Sequence, residues 1–137
     1  MYKRQLEKPL PIFVKIAPDL ELTAIGEIVD LSIAQGLTGI IATNTTISRA
    51  DLKTATDRIE YIGNGGLSGL PVRERATEVV DYIYKKAGNR LHIIGVGGIA
   101  KGQDAKDKLD AGADLVQVYT GFIYEGPAMV KRICRAL

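Results

Sequence analysis

Two short apolar runs in the last third of the chain end in residues suited to holding an anion. Leu91-His92-Ile93-Ile94-Gly95-Val96-Gly97-Gly98 finishes in glycines, and Leu115-Val116-Gln117-Val118-Tyr119-Thr120-Gly121 in a hydroxyl and a glycine. Such runs read as buried parallel strands, and glycine at a strand end lets backbone N–H groups approach an anion with no side chain between. A single glycine is more simply a turn residue, but two matched ends favour a phosphate cup. Gly95-Val96-Gly97-Gly98-Ile99-Ala100 also fits the G-x-G-x-x-A dinucleotide fingerprint. That reading wants an acid at the end of the next strand for a ribose hydroxyl, whereas Asp114 stands at its start, so it is set aside.

Lys15 lies between Val14 and Ile16 in a third apolar run. An ammonium there is expected in a partly desolvated site where it needs an anion, such as a cofactor that becomes anionic. A snorkelling or ion-paired lysine satisfies the pattern equally well. Thr43-Asn44-Thr45-Thr46 follows a fourth run, and its amide and hydroxyls can recognise a planar ring from its edge, or cap a turn. His92, at the start of its strand, faces the wrong end of a sheet for catalysis.

The elements that must position these residues are legible from periodicity. Pro11 to Ala17 reads as a strand that Pro18 stops, with Asp19 or Thr23 available to cap the following helix. Leu22, Ile25, Ile28, Val29 and Ile33 form its apolar stripe, and Gly36 is placed as a left-handed C-cap. Strand Gly39 to Thr43 comes next, then a long polar connection from Asn44 to Leu70 whose length and Gly65-Gly66-Leu67-Ser68-Gly69 cluster point to function. Pro71 opens a helix with Val72, Ala76, Val79, Val80 and Ile83 on one face. A strand, a helix over about 103–111, the strand at 115–118 and an amphipathic close over 127–137 complete the chain.

Met1 to Pro9 is charged and unpatterned and is expected to be a frayed start. The joins Ala34-Gln35-Gly36, Ala87-Gly88-Asn89 and Ala111-Gly112-Ala113 are alike, which marks a βα unit repeated four times. Right-handed crossovers then give an α/β fold with a parallel sheet, either open and doubly wound or part of a barrel. Four units are half of a (β/α)8 barrel, in which the loops after the last two strands commonly hold phosphate.

The 137 residues suffice for one globular unit with a core. Eighteen basic and sixteen acidic residues leave a net charge of +2 without blocks, so nothing suggests nucleic acid or an anionic membrane as partner. The lone Cys134 excludes an internal disulfide and a cysteine-based metal site, and fits a reducing cytoplasm. No apolar run is long enough to span a bilayer.

Val14-Lys15-Ile16-Ala17-Pro18-Asp19, Thr43-Asn44-Thr45-Thr46, Gly65-Gly66-Leu67-Ser68-Gly69, Gly95-Val96-Gly97-Gly98 and Val116-Gln117-Val118-Tyr119-Thr120 occur in the order seen in dihydroorotate dehydrogenases. The combination, with Ile47-Ser48-Arg49 and Tyr119-Thr120, resembles the quinone-linked class 2 enzymes and covers nearly all the chain from Pro11 onward. The resemblance implies an FMN-dependent TIM-type barrel, oxidising dihydroorotate to orotate in pyrimidine biosynthesis with a quinone as acceptor. Residues 1–137 would be one partial domain, the C-terminal half barrel, with strands at about 12–17, 39–43, 91–96 and 115–118.

By the same resemblance, Lys15 stabilises negative charge on the reduced flavin. Thr43, Ser68 and Gly69 are flavin contacts, and Val96, Gly97, Gly98, Tyr119 and Thr120 surround the FMN phosphate. Asn44 and Thr45 are substrate contacts. The serine base of class 2 enzymes belongs to a preceding half barrel, so this chain alone is expected to be inactive. It is also expected to self-associate or to need that preceding half. The family points to a cytoplasmic protein, peripheral at the inner membrane in its full-length form. A non-catalytic phosphate-binding or assembly module is the competing reading; a dihydropyrimidine dehydrogenase domain is a third, which would need iron–sulfur partners.

Overall fold

The computed structural model describes residues 10–137, so the frayed start expected over Met1 to Pro9 lies outside the described residues. Strand β1 (Phe13–Ile16) leads through helix α1 (Leu22–Ala34) to β2 (Gly39–Ala42). A long excursion carrying the short helix α2 (Thr56–Ile62) and a 3-10 turn at Leu70–Val72 then reaches α3 (Arg73–Ala87). Next come β3 (His92–Val96), α4 (Gly102–Asp110), β4 (Leu115–Gln117), α5 (Thr120–Glu125) and α6 (Ala128–Arg135). The four strands form one parallel sheet in the order β1-β2-β3-β4.

Period-2 alternation divides the sheet into two unlike faces. Ile16, Ile40, Ala42 and Ile93 point to the helices and are buried with Ile25 and Val29 of α1 and Val79, Val80 and Ile83 of α3. The opposite face carries a cross-sheet row in which Lys15 pairs with Ile41, Ile41 with Ile94, and Ile94 with Leu115. No described element covers it: Lys15 is exposed and Leu115 is 63% exposed. Of the two readings of Lys15, the snorkelling one describes it on this uncovered face, and the partly desolvated one would need the face covered.

Helix termini follow local chemistry. Gly36 (φ +61°) and Gly88 (φ +55°) adopt the left-handed backbone that ends α1 and α3. Glu74 in the first turn of α3 and Lys85 and Lys86 in the last complement its dipole. The expected cap of α1 is not made: Glu21 occupies that position without a side-chain hydrogen bond, and Asp19 is engaged elsewhere. The connection after β2 is less featureless than its composition suggests, since it contains α2, and α5 was not foreseen. Neither short helix has a buried residue, so neither leaves a periodic stripe. β2 and β4 each end one residue before the expected limit, at Ala42 and Gln117.

Below the sheet, Thr38 sets the register: its N–H donates to the Ile12 carbonyl at 2.9 Å, its carbonyl accepts from His92 N–H, and its hydroxyl accepts from Ile12 N–H. His92 lies at this end with Nδ1 3.4 Å from Asp114, clear of the strand C-termini as its position implied. A second apolar cluster of Ile99, Ala105, Met129 and Ile133 joins α4 to α6. The two faces predict unequal stability costs. Ile93→Ala should cost about 2–5 kcal/mol in urea unfolding and Lys15→Ala less than about 0.5 kcal/mol. Equal costs would contradict a one-sided core.

Candidate functional site

Parallel pairing brings the C-terminal ends of all four strands to one rim, where the chain leaves a cleft of about 820 Å³. Lys15, Thr43, Asn44, Thr45, Ser68, Gly69, Val96, Gly97, Gly98, Tyr119 and Thr120 all line it. Every site residue expected from the sequence is thus brought to one place. Gln117 from the open sheet face and Glu125 from α5 line it as well, and neither is singled out by residue type or spacing.

The loop after β2 is fixed from both sides. Thr43 N–H donates to the Val96 carbonyl at 2.9 Å and Asn44 N–H to the Ile16 carbonyl at 2.7 Å, extending the sheet bonds past the strand. Thr43 is 2% exposed and its hydroxyl donates to the Asn44 carbonyl. The side chain of Asn44 remains exposed at the mouth, beside the half-buried Thr45.

Thr46 is the hinge of the long excursion. Its backbone makes an antiparallel bridge with Leu67, at 3.0 and 2.8 Å, which closes the segment between them and delivers Ser68 and Gly69 to the cleft. Its hydroxyl donates to Asp19 Oδ1, while Asp19 Oδ2 accepts from Ile47 N–H at 3.1 Å. Asp19 therefore clamps the loop after β1 to the loop after β2. The sequence signal was available, an acid just beyond the proline that ends β1, but it reads locally as a helix cap.

Close approach explains particular glycines. A Cβ at Gly66 would stand 2.0 Å from Thr45 Oγ1, and one at Gly98 would stand 2.2 Å from Arg73 Cβ. Gly97 (φ +115°) and Gly98 (φ +73°) bend the chain out of β3, and none of the described hydrogen bonds engages their amides. Across the cleft, Thr120 Oγ1 donates to Ser68 Oγ at 2.9 Å, linking the start of α5 to the end of the excursion. Tyr119, 70% exposed, stands at the rim. Backbone donors and hydroxyls gathered at one end, with Leu70, Val96, Ile99 and Val118 as apolar wall, suit an anionic group attached to a flat apolar body.

A family model described as dihydroorotate dehydrogenase matches residues 2–137. The chain belongs to the dihydroorotate dehydrogenase family. It is 53% identical over 128 residues to a dihydroorotate dehydrogenase (quinone) of Nocardioides sp. and 56% identical over 133 residues to one of Acaryochloris marina, covering 93% of this chain in each case. It spans only 36% and 35% of those relatives, about a third of their length. A crystal structure of the dihydroorotate dehydrogenase of Eimeria tenella in complex with ferulenol superposes on 96% of this chain with a TM-score of 0.86 and 40% identity, and the chain covers 34% of it. The ligand-free form of the Eimeria protein matches at the same TM-score. The four βα units are half of a TIM-type barrel, and the open sheet face is the face that a closed barrel of this family turns inward.

The Asp19–Thr46 clamp is open to a double-mutant cycle. Asp19→Asn and Thr46→Val should each cost about 1–2 kcal/mol, with a coupling of about 1 kcal/mol in chemical denaturation. Full additivity would show that the two side chains do not act on one another.

Proposed function

We propose that this chain is the C-terminal half barrel, residues 1–137 as one partial domain, of a quinone-linked dihydroorotate dehydrogenase, and that its cleft takes FMN and part of the orotate site. The observation that carries this reading is the convergence of Lys15, Asn44, Ser68, Gly97 and Thr120 on one cleft, in a chain of that family. The donor set fits the cofactor: two glycine amides that none of the described hydrogen bonds engages, the Ser68 hydroxyl that accepts from Thr120 and keeps its own proton to donate, and an apolar wall of Leu70, Val96, Ile99 and Val118.

In this reading the backbone at Val96, Gly97 and Gly98, with Tyr119 and Thr120, holds the phosphate. Thr43, Ser68 and Gly69 contact the flavin along the cleft. Lys15 directs its ammonium from the open sheet face toward the ring, where positive charge favours the reduced, anionic form. Asn44 and Thr45 bind the edge of the orotate ring through amide and hydroxyl. When bound, FMN supplies the hydride-accepting ring for oxidation of dihydroorotate, and a quinone is the final acceptor. The base of class 2 enzymes is a serine of the other half barrel, so the part these residues play is to bind and to orient. The complete enzyme is a cytoplasmic protein peripheral to the inner membrane; no helix among the described residues is long and apolar enough to cross a bilayer.

Self-association belongs to the same reading. Among the described residues β1 and β4 each pair on one side only, and Leu31, which shares a groove with β1, and Leu115 of β4 are more than 60% exposed. Unpaired parallel edges with apolar flanks seek partners, and the β1 edge of one copy suits the β4 edge of another in a closed eight-stranded ring. Light scattering of the isolated chain should give a dimer, and a monodisperse monomer would contradict the pairing.

The cofactor assignment is tested by titrating FMN with the chain and following flavin fluorescence and absorption. Saturable binding is expected. Gly98→Val should abolish it, and Lys15→Ala should weaken it at least fivefold with a change in the bound flavin spectrum. Absence of binding would overturn the flavin reading. Binding indifferent to Lys15→Ala would remove the role given to that lysine.

A further inference from the structure

Lys108 is the largest fully buried side chain among the described residues, with 0% exposure, and nothing in the proposed function uses it. It belongs to α4, whose inward face is Asp104, Ala105 and Lys108. Its stem runs beneath β3, where a Cβ at Gly95 would lie 3.2 Å from Lys108 Cβ and 3.3 Å from its Cδ. Its Nζ donates to the main-chain carbonyl of Arg73 at 2.9 Å and to the Thr77 hydroxyl, both in the opening of α3. Asp104 grips the same residue from the other side, accepting from Arg73 Nη1 at 3.1 Å. Its second oxygen accepts from the amides of Ala100 and Lys101, each at 3.0 Å.

Arg73 is thus held by its carbonyl and by its guanidinium, and its Cβ and Cα fill the space that a side chain at Gly98 would need. We propose that Lys108 is a positioning residue: by gripping the Arg73 carbonyl it fixes the first turn of α3 against Gly98, and so sets the shape of the loop over 97–101 at the anion end of the cleft. The value of that loop to FMN rests on the function proposed above, while the brace itself does not.

A purely structural lysine would be expected to add stability; this one is held against its solvation. Burial pushes its pKa down from 10.5 to about 8, and the repulsion of Arg73 adds to this against the opposing pull of Asp104 and Asp107. The unfolded chain binds the proton more tightly, so the cost is full below about pH 8 and fades as pH rises toward 10.5. Arg73 remains the countercharge of Asp104 when Lys108 is replaced, so an apolar side chain of similar length strands no carboxylate, while losing the hold on the Arg73 carbonyl frees the ion pair and with it the Asp104 bonds to the Ala100 and Lys101 amides.

The test is Lys108→Met in the whole chain, read by thermal unfolding and by hydrogen–deuterium exchange. The expected result is an unchanged or higher Tm, exchange at the Ala100 and Lys101 amides at least tenfold faster, and unchanged slow exchange at Ile40 and Ile93. Thr77→Val, which removes the hydroxyl that accepts from Lys108 Nζ and itself donates to the Arg73 carbonyl at 2.9 Å, should loosen the same two amides, and it decides the matter if Lys108→Met does not fold. Unchanged loop exchange, or exchange that rises only in step with a fall in Tm, would overturn the proposal. Flavin titration separates the two claims. If the unsubstituted chain takes up FMN, Lys108→Met should weaken it at least tenfold, and undiminished affinity would overturn the positioning role. If the unsubstituted chain takes up none, the flavin reading fails and exchange alone judges the brace.

Discussion

Parallel pairing in the order β1-β2-β3-β4 carries all four strand C-termini to one rim, and the rest of the site depends on it. The register is held at the far end by Thr38, which bonds to both neighbouring strands. At the rim, Thr43 and Asn44 repeat the arrangement with Val96 and Ile16. A slip of one residue in any strand would exchange the buried face for the open one, sending Lys15 among Ile25 and Val29 and removing it from the cleft. The core on one face therefore enforces the chemistry on the other.

Loops above this rim are shaped by contact more than by their own conformational preference. Gly98 exists under Arg73, Gly66 under Thr45, and the Thr46–Leu67 bridge holds a segment whose only helix buries nothing. Charge is used with the same economy. Asp19 ties the loop after β1 to Thr46 and Ile47, and Asp104 ties the opening of α3 to the amides of Ala100 and Lys101. The cleft itself is left with backbone amides, hydroxyls and one lysine, a composition that receives an anion with little competing negative charge beyond Glu125 at its edge.

Much of this was legible in the sequence because periodicity and glycine placement have direct geometric meaning. Strands showed as short continuous apolar runs and long helices by an apolar spacing of 3.6, and Gly36, Gly88 and Gly112 marked their joins with positive φ. What was not legible depends on partners distant in the chain. Asp19 looked like a cap until Thr46 was brought to it. Lys15 looked desolvated because its strand neighbours are apolar, a pattern that does not say whether the second sheet face is covered. Lys108 follows Lys106 and Asp107 in a charged stretch that reads as a solvated surface, and only the inward turn of α4 shows it buried. α2 and α5 bury no residue, so no stripe announces them.

The two glycine-ended strands are proposed to form one anion-binding end of a flavin cleft. Two-dimensional amide spectra of the labelled chain during addition of FMN address it residue by residue. The largest shifts are expected on Gly97, Gly98, Thr120 and Gly121, with smaller ones at Ser68 and Gly69 and none along the outward faces of α1 and α3. Shifts confined to the groove between β1 and α1, or an unperturbed spectrum at saturating FMN, would contradict it.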